Sequence, residues 1–545
     1  MNSGFICLLS SSSTIYFSSP MKKIILLLIF GLITISLFAQ MPTNRLDVQH
    51  YGFYIRLNDS NNVMQGKAVI TTSFVTPVNT VIFDLVKKKS DGKGMVVTSV
   101  IKDGIRLSFS QDTDHLVIKD KGVPGSKNIY TIGYYGIPAD GLVISNNRYG
   151  ERTFFGDNWP NRAHNWIPCN DHLSDKALVD FYVTAPDHYQ VISNGKKIEE
   201  TNLPNQLKLT HWRETAPLPV KVMVIGVAKF AVDNFAQVDC TPISTWVYPN
   251  DRDSGFAHFS IASHILRWFI NHIGPYPFEK LANVQSTTIF GGMENAGCIF
   301  YFEKSVYSKS LESLMAHEIA HQWFGDYITE MDWPHLWLSE GFATYMTDLY
   351  LEDKYGKDSL KNLVRTQRAE VIEYSKDHAT PVVDTSASHH LMNLLNDNSY
   401  QKGAWVLHML RRKTGDSLFW KAIRLYYKTY AAGNTSTADL RKIFEEVSHQ
   451  NLETFFRQWL YEPGQPELKF NWNYNQLHKE VEVSITQNQN NLFDFPLAVR
   501  FSDEKNTVTK TIEVKDRKTQ KKFSLNFEPT QAMVDPDVDL LFDLE

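Results

Sequence analysis

Two histidines and a glutamate stand at a spacing that could support hydrolytic metal chemistry. His317 and His321 are four residues apart, and Glu318 lies between them. On an α-helix this spacing leaves the two imidazoles about 40° apart around the axis and one turn apart along it, so both can bind one metal ion. Glu318 then points about 80° away from their mean direction, where it can reach a water on the metal but cannot easily serve as a ligand.

A third ligand is needed, and Glu340 is the candidate. Eighteen residues separate it from His321, and it lies in residues 337–343, whose pattern predicts the next helix. The turn residues 332–334 would bring that helix back antiparallel to the first and place Glu340 opposite the two histidines. Two His and one Glu leave a fourth position for water, as in catalytic zinc sites. We therefore predict one Zn²⁺ per chain; the alternative is a helix with two ordinary histidines.

Such a site would have a natural reaction. Zinc lowers the pKa of a bound water from about 16 to about 7 and polarises a carbonyl group. Glu318 can accept the proton of that water as general base and later pass it to a departing amine. The chemistry predicts hydrolysis of a peptide bond. An apolar stripe at Met315, Ile319 and Trp323 supports the helix that the site requires.

The hydrophobic pattern predicts the elements that position these residues. From about residue 45 to 240, short alternating runs separated by turn signals predict antiparallel strands. Helical spacing then dominates to residue 460, and alternation returns after 462–466. We therefore predict a multidomain α+β protein with an N-terminal antiparallel β domain (40–240), a mainly helical catalytic domain (241–464) and a small β-sandwich-like C-terminal domain (465–545).

The amino terminus has the pattern of a processing signal. Two lysines at 22–23 precede an apolar run, residues 24–39, which predicts a cleaved secretory signal peptide over 21–39. A membrane anchor is the alternative, but the run is shorter than the roughly 20 apolar residues that span a bilayer. Met21 is a candidate start, which would make residues 1–20 a dispensable extension. We predict export to the periplasm or the cell exterior, without stable membrane insertion.

The bulk composition excludes some classes of function. The 545 residues carry a formal charge of −5 from 55 basic and 60 acidic side chains, a balance that does not suggest nucleic acid as a partner. A hydrophobic content of 43% is ample for packed cores. Cys169, Cys240 and Cys298 remain after cleavage, which permits either one disulfide or three buried free thiols. Nothing in the sequence indicates an oligomeric state.

Several motifs together resemble one family. The gluzincin zinc aminopeptidases, of the aminopeptidase N and leukotriene hydrolase type, combine H-E-x-x-H, eighteen residues and Glu with an upstream G-x-M-E-N. Here residues 291–295 read Gly-Gly-Met-Glu-Asn and end twenty-two positions before His317. Residues 400–403 (Tyr-Gln-Lys-Gly), 166–169 (Trp-Ile-Pro-Cys) and 458–461 (Gln-Trp-Leu-Tyr) resemble further signatures of the family. The resemblance spans nearly all of the mature chain and implies a thermolysin-like catalytic domain and peptide substrates with a free amino terminus.

The resemblance also implies a role for each matched position. Glu294 would bind the α-ammonium group of the substrate and so restrict cleavage to the amino terminus. Tyr400 would donate its hydroxyl to the oxyanion of the tetrahedral intermediate. Phe290 stands where relatives line the pocket for the first side chain; it either favours apolar or aromatic residues or is simply part of the core. The other substrate-binding positions, where an extended peptide would approach the backbone and pair with it, are Gly291, Gly292, Met293 and Asn295.

The chain departs from the family pattern in three places. Relatives usually carry a second acid or amide for the α-ammonium about ten residues before the Pro-Cys pair, and no Glu or Gln stands there. Either Asp157 or Asn158 substitutes, or Glu294 and Glu340 hold the charge alone. Ser339 stands where Asn is common. The chain is also a short form, with a β module of about 80 residues in place of the long C-terminal helical domain, which predicts a site that is either more open or closed only by a partner.

Two other functions are compatible with these motifs. Relatives of the leukotriene hydrolase type also open an epoxide with the same zinc, but nothing in the sequence indicates a lipid pocket. An inactive peptide-binding protein is the second alternative. Inactive relatives normally lose the general base or a metal ligand, and none of those residues is missing here.

Overall fold

The computed structural model describes residues 46–545, except for the side chains of Ser388 and His389. The predicted leader extension (1–20) and signal peptide (21–39) lie outside the described residues. Within residues 46–545, a β-rich part is followed by a mainly helical part and then by further strands, which confirms the predicted fold class. No helix in this part of the chain is long and apolar enough to cross a membrane.

The N-terminal part consists mainly of strands, because its apolar residues recur with a period of two and line one face of each sheet. Its strands are β1 (Leu46–Arg56), β2 (Met64–Phe74), β3 (Val81–Asp84), β4 (Gly94–Lys102), β5 (Ile105–Arg106), β6 (Phe109–Gln111), β7 (His115–Ile118), β8 (Asn128–Ile137), β9 (Leu142–Asn146), β10 (Arg152–Gly156), β11 (Lys176–Pro186), β12 (Gln190–Ser193), β13 (Lys196–Leu203), β14 (Leu207–Pro219) and β15 (Ile225–Ala228).

These strands form one large sheet and two smaller ones. The large sheet has the order β13-β14-β11-β1-β2-β8-β4-β5, and the others are β12-β15-β10-β9 and β3-β7-β6. Neighbours pair antiparallel as predicted, with one exception: β1 and β11 run parallel, with Phe53 opposite Phe181. The long connection between these two strands allows the parallel pairing, since parallel neighbours need a crossover rather than a hairpin.

The catalytic part joins a sheet to a set of helices. Its strands are β16 (Ala231–Val238), β17 (Thr241–Val247), β18 (Leu281–Ser286), β19 (Gly292–Met293), β20 (Cys298–Phe302), β21 (Thr329–Glu330) and β22 (Asn434–Thr435). Its helices are α1 (Arg252–Phe259), α2 (Ala262–His272), α3 (Leu311–His321), α4 (Trp337–Tyr355), α5 (Lys357–Asp377), α6 (Gly403–Thr414), α7 (Asp416–Tyr430), α8 (Thr437–Ser448) and α9 (Glu453–Phe456).

Shorter helical turns connect these elements. The π-helical turns are Asn398–Lys402 and Arg457–Tyr461, and the 3-10 turns are Ala163–Asn165, Val220–Val222, Pro249–Asp251, Ser305–Tyr307, Trp333–His335, Ser386–His389 and Leu391–Leu394.

The five-stranded sheet of the catalytic part has the order β16-β17-β18-β20-β19, so that β19 lies at its edge. The sheet therefore begins at Ala231, somewhat before residue 241, where the sequence pattern places the start of the catalytic domain.

The helix that carries the H-E-x-x-H motif is anchored as predicted. Met315, Ile319 and Trp323 are all fully buried in the core of the catalytic part. The chain then reverses through a 3-10 turn, where the Asp332 side chain accepts a hydrogen bond from the backbone N–H of Trp333 at 2.8 Å. Helices α3 and α4 pack against each other after this reversal.

The C-terminal part is a small two-sheet structure, as predicted. Its strands are β23 (Glu467–Asn475), β24 (Glu480–Gln487), β25 (Phe495–Ser502), β26 (Thr507–Val514), β27 (Lys518–Ser524), β28 (Gln531–Val534) and β29 (Asp543–Leu544), in the orders β27-β24-β23-β29 and β26-β25-β28. Its core is continuous with that of the catalytic part, and the rings of Trp459 and Phe493 lie 4.9 Å apart across the junction. Three ion pairs also join them: Arg368 with Asp535, Lys361 with Asp537 and Arg412 with Asp539.

The three described cysteines are all free thiols. Cys169 and Cys298 are buried, whereas Cys240 is exposed. The structure therefore contains no disulfide among residues 46–545, and the alternative expectation of three buried thiols is wrong for Cys240. That residue lies in the tight turn between β16 and β17, where its side chain faces solvent.

Candidate active site

The three predicted metal ligands converge on one point. His317 Nε2 and His321 Nε2 are 3.0 Å apart, and each lies 3.3 Å from Glu340 Oε2. That carboxylate oxygen is buried and makes no hydrogen bond to any described residue. Two imidazole nitrogens and a carboxylate oxygen facing one another form a donor set that fits Zn²⁺, since the ion would satisfy all three at once.

The orientation of the second histidine is fixed by its other ring nitrogen. His321 Nδ1 lies 3.1 Å from the carbonyl oxygen of Phe324 and 3.1 Å from Ser339 Oγ. Donation of the Nδ1 proton to the carbonyl leaves the Nε2 lone pair directed at the other ligands. Ser339 thus contacts a predicted metal ligand, His321, a contact that its position beside Glu340 did not reveal.

The predicted general base lies against the edge of the sheet. Glu318 is 5% exposed, and a Cβ atom at Gly292 would overlap its carboxylate, so only glycine lets β19 pass this close. Burial raises the pKa of Glu318 well above its usual value, with His321 opposing the rise and Glu294 adding to it. A cation held by the three ligands would lower that pKa and favour the ionised form that a general base requires.

Tyr400 reaches the site through a close crossing of helices. It lies in the π-helical turn before α6, and its ring stacks on that of His317 with centroids 5.9 Å apart. Gly341 of α4 faces Gly403 at the start of α6, where an added Cβ would lie 2.9 Å from the Gly403 Cα atom. Burial, followed by the charge of Glu340, raises the pKa of Tyr400 well above its usual value, so its hydroxyl stays protonated as a donor must.

One small cavity collects most of the predicted residues. It has a volume of about 60 Å³ and is lined by Trp159, Phe290, Gly292, Met293, Glu294, His317, Glu318, His321, Glu340, Leu395 and Tyr400. Two predicted substrate-binding residues, Gly291 and Asn295, do not line it. Asn295 is fully buried, and neither polar atom of its side chain has a hydrogen-bond partner within the described residues.

Comparison with known proteins identifies the family. The Peptidase M1 N-terminal domain matches residues 47–220, and the Peptidase family M1 domain matches residues 258–459. Together these matches cover most of the chain. The chain belongs to peptidase family M1.

Curated relatives in the M1 family are similar over much of this chain. Probable aminopeptidase 2 of Sulfurisphaera tokodaii is 24% identical over 483 residues, which cover 85% of this chain and 60% of the relative. Tricorn protease-interacting factor F2 of Thermoplasma acidophilum is 28% identical over 403 residues, covering 69% and 49%. Aminopeptidase N of Mus musculus is 26% identical over 348 residues, covering 58% and 36%. This M1 chain spans about half the length of the curated relatives it matches.

A solved M1 structure of similar size shares the fold. The M1 zinc metallopeptidase of Deinococcus radiodurans matches with a TM-score of 0.68 and 24% identity, covering 79% of this chain and 97% of that one. The agreement extends over nearly the whole of the solved chain, which supports the arrangement of β-rich and helical parts described above.

Gln322, which no sequence motif indicates, joins the loop that carries Glu294 to helix α3 of this M1 chain. Gln322 follows His321, and its Nε2 donates to the Glu294 carbonyl at 2.7 Å and to Asp326 Oδ2 at 3.0 Å. Its Oε1 accepts from the Gly297 backbone N–H at 2.8 Å. These hydrogen bonds fix the position of the loop around Glu294 relative to the predicted ligands on α3. Only the adjacency of Gln322 to the H-E-x-x-H motif could have drawn attention to it.

Neither candidate for the second amine ligand in this M1 chain faces the cavity. Asp157 is fully buried, and its carboxylate pairs with Arg162 at 2.5 Å. The Asn158 amide donates to the carbonyls of Val220 and Met223, and its oxygen accepts from the indole of Trp166. The other carboxylate oxygen of Asp157 accepts from the Ile289 backbone N–H at 3.5 Å. Both side chains are therefore engaged by neighbours outside the cavity.

Two residues that no sequence motif indicates line the site instead. Trp159 follows Asn158 and is 2% exposed, and Leu395 lies just before the π-helical turn that carries Tyr400. Both come from loops distant in sequence from the metal motif. Since no periodic pattern connects them to α3, the sequence offered no signal for their placement.

Proposed function

We propose that this protein is a zinc-dependent aminopeptidase that hydrolyses the amino-terminal bond of peptides. The observation that carries the proposal is the single cavity in which the donor atoms of His317, His321 and Glu340 converge beside two further carboxylates, those of Glu318 and Glu294. Several M1 relatives are named as aminopeptidases, which supports the same reaction. The proposed metal ligands, the proposed base Glu318 and the proposed amine-binding carboxylate of Glu294 lie in one cavity, as hydrolysis of an amino-terminal peptide bond would require.

The metal would be held by the two imidazole Nε2 atoms and Glu340 Oε2. When bound there, zinc would supply a water of lowered pKa and an electrophile for the carbonyl of the substrate. The other steps of the reaction would be carried out by side chains of this protein. Their task is to move protons, stabilise negative charge and hold the substrate in register.

Glu318 and Tyr400 would perform the chemical steps. Glu318 accepts a proton from the attacking water and then donates it to the nitrogen of the departing amine. Tyr400 donates its hydroxyl proton in a hydrogen bond to the oxygen that becomes negative as the tetrahedral centre forms. The high pKa of its hydroxyl keeps that donor in place. The ring of Tyr400 stacks on that of His317, which keeps the side chain beside the predicted ligands.

The edge strand β19 would position the peptide. It pairs with β20 on one side only, so its other side can pair with an extended substrate. Glu294 follows this strand, and its buried Oε1 has no hydrogen-bond partner among residues 46–545. A substrate ammonium group would satisfy that oxygen and place the first carbonyl beside the metal ligands. A Deinococcus radiodurans neighbour was crystallised with the substrate Tyr-Ser-Ala, whose length suits such a site.

The first side chain of the substrate would meet an apolar wall. Phe290, Met293 and Leu395 line the cavity together with Trp159. We therefore propose a preference for apolar or aromatic amino-terminal residues. Because the pattern of residues 21–39 predicts a signal peptide, we also propose that the enzyme acts outside the cytoplasm, in the periplasm or beyond the cell.

Glu294→Gln tests the aminopeptidase assignment. The variant keeps the shape of the side chain but removes the charge, so KM for free-amine substrates should rise about tenfold or more. The kcat value should change less, since the base and the oxyanion donor are intact. Steady-state kinetics on leucyl-coumarin amide would measure both values.

Glu303→Gln is the matched control, because Glu303 is buried nearby but binds the Arg148 backbone N–H outside the cavity. It should leave KM near the normal value. Equal losses of activity on free and N-acetylated substrates in the Glu294 variant would argue against a role in amine binding.

A further inference from the structure

Two carboxyl groups meet where the N-terminal part contacts the catalytic part. Glu214 belongs to β14, and Glu279 lies in the segment just before β18. Glu214 is 1% exposed, and its side chain is in hydrogen-bonding contact with that of Glu279. Because a carboxylate oxygen can only accept a hydrogen bond, one of the two groups must carry a proton for this bond to form.

The surrounding hydrogen bonds leave one oxygen of each carboxyl group for the other. Glu214 Oε1 accepts from the backbone N–H groups of Thr215 at 2.9 Å and Ala216 at 2.8 Å. Glu279 Oε1 accepts from the Thr215 hydroxyl. The two remaining atoms, Glu214 Oε2 and Glu279 Oε2, are buried and have no donor within residues 46–545. A single proton between them would satisfy both oxygens.

Three other titratable groups lie beside this pair. Tyr276 faces Glu214 and donates its hydroxyl to the Lys280 carbonyl at 3.1 Å. Lys280 faces both glutamates, and Cys298 lies against Lys280. In the described part of the chain, the Lys280 ammonium donates to backbone carbonyls and forms no salt bridge. Burial raises the pKa of Glu214 to about 8, and the charge of Glu279 adds to the rise, whereas a backbone N–H and Lys280 oppose it.

The pair is next to a contact that extends to the predicted substrate loop. Lys280 Nζ donates to the carbonyl of Ser193, in the N-terminal part, at 2.7 Å. It also donates to the carbonyl of Gly297 at 2.9 Å, and the Gly297 N–H is bound by Gln322 on the other side. A displacement of Glu279 would therefore act on this loop through the neighbouring Lys280.

We propose that Glu214 and Glu279 share one proton, and that loss of this proton at alkaline pH weakens the contact between the N-terminal and catalytic parts. With the proton in place, the Glu214 O–H donates to Glu279 Oε2. Without it, two negative charges face each other in a buried position with no salt bridge to compensate them, which is unfavourable. This pH-dependent contact needs neither substrate nor metal and goes beyond the proposed aminopeptidase function.

Glu214→Gln tests the proposal in urea unfolding of the zinc-loaded protein across this pH range. Between about pH 5 and 8, Glu214 holds its proton only in the folded state, so it should weaken folding by up to about tenfold in the equilibrium constant per pH unit. The amide of the variant can donate to the same Glu279 oxygen at any pH. Its urea midpoint should match that of the unaltered protein near the acid end and exceed it near the alkaline end.

Three further measurements separate a shared proton from a change in packing. Glu279→Gln should remove most of the same pH dependence, and the double variant should add little, since only one proton is involved. Infrared difference spectra of the unaltered protein against either variant should show one protonated carboxyl group at neutral pH and none at alkaline pH. Amide exchange of residues 294–298 at alkaline pH should be slower in Glu214→Gln than in the unaltered protein.

Glu303→Gln is the control, because Glu303 is also buried but binds the Arg148 backbone N–H away from this contact. Its pH dependence should parallel that of the unaltered protein. Parallel curves for Glu214→Gln would overturn the proposal, as would a urea midpoint that rises with added Ca²⁺ only when both glutamates are present, since the two oxygens would then hold a cation. An inactive enzyme would contradict the proposed function alone, because these measurements involve no hydrolysis.

Discussion

Glu318→Gln is expected to lower kcat by about 10³-fold while the metal site stays intact. The amide is nearly the same size as the carboxylate but cannot accept the proton of the attacking water, and general-base catalysis typically contributes about 10²–10⁴-fold. Since Glu318 is not among the converging ligands, zinc should still bind with a stoichiometry of one per chain. Steady-state kinetics and metal analysis of the purified variant would measure the two quantities.

Glu303→Gln again serves as the control, because it removes a nearby buried carboxylate that lies outside the cavity. Its kcat and its zinc content should both be close to those of the unaltered protein. Near-normal kcat in the Glu318 variant would contradict the assignment of the base. Loss of zinc from that variant would show that Glu318 helps to hold the metal, contrary to the ligand set proposed above.

Gly292→Ala is expected to lower kcat by about 10–100-fold without altering any reacting group. The new methyl group would overlap the Glu318 carboxylate and force that side chain to turn away. A displacement of about 1 Å at a reacting group can cost about 10²-fold. The protein should remain folded, because the obstructing atoms belong to the free end of a flexible side chain. Kinetics and thermal unfolding would be compared on the same preparation.

Gly291→Ala is the matched control for this substitution. A Cβ atom there would have only Ser305 Oγ nearby, at an ordinary contact distance of 3.6 Å. Its kcat should therefore stay near normal, and any effect should fall on KM. Equal losses of kcat in the two alanine variants would indicate that the edge strand, rather than the position of Glu318, controls the rate.

The metal ligands could be predicted from sequence because local geometry determines most of their arrangement. The helical period alone places His317 and His321 on one face, and a single reversal brings Glu340 opposite them. The order of the β-rich and helical parts could also be predicted, because the spacing of apolar residues differs between strands and helices. Both predictions depend on residues that are close to one another in the sequence.

The walls of the cavity could not be predicted, because distant loops meet there. Trp159 and Leu395 are far from α3 in sequence, and only the packed fold brings them beside it. Asn295 was predicted to bind substrate because it belongs to the matched motif, but its side chain is buried outside the cavity. The parallel pairing of β1 with β11 could not be predicted either, because the alternation of apolar and polar residues within each strand does not determine which strand lies beside it.

The most direct test of the central claim is hydrolysis of aminoacyl-coumarin amides, free and N-acetylated, with and without a zinc chelator. We expect cleavage of only the free-amine set, lost with chelator and restored by zinc, and fastest for apolar or aromatic residues. Cleavage of the acetylated set at a similar rate would contradict the amine-anchoring role of Glu294. Absence of cleavage of either set by zinc-loaded protein would contradict the proposed aminopeptidase function itself.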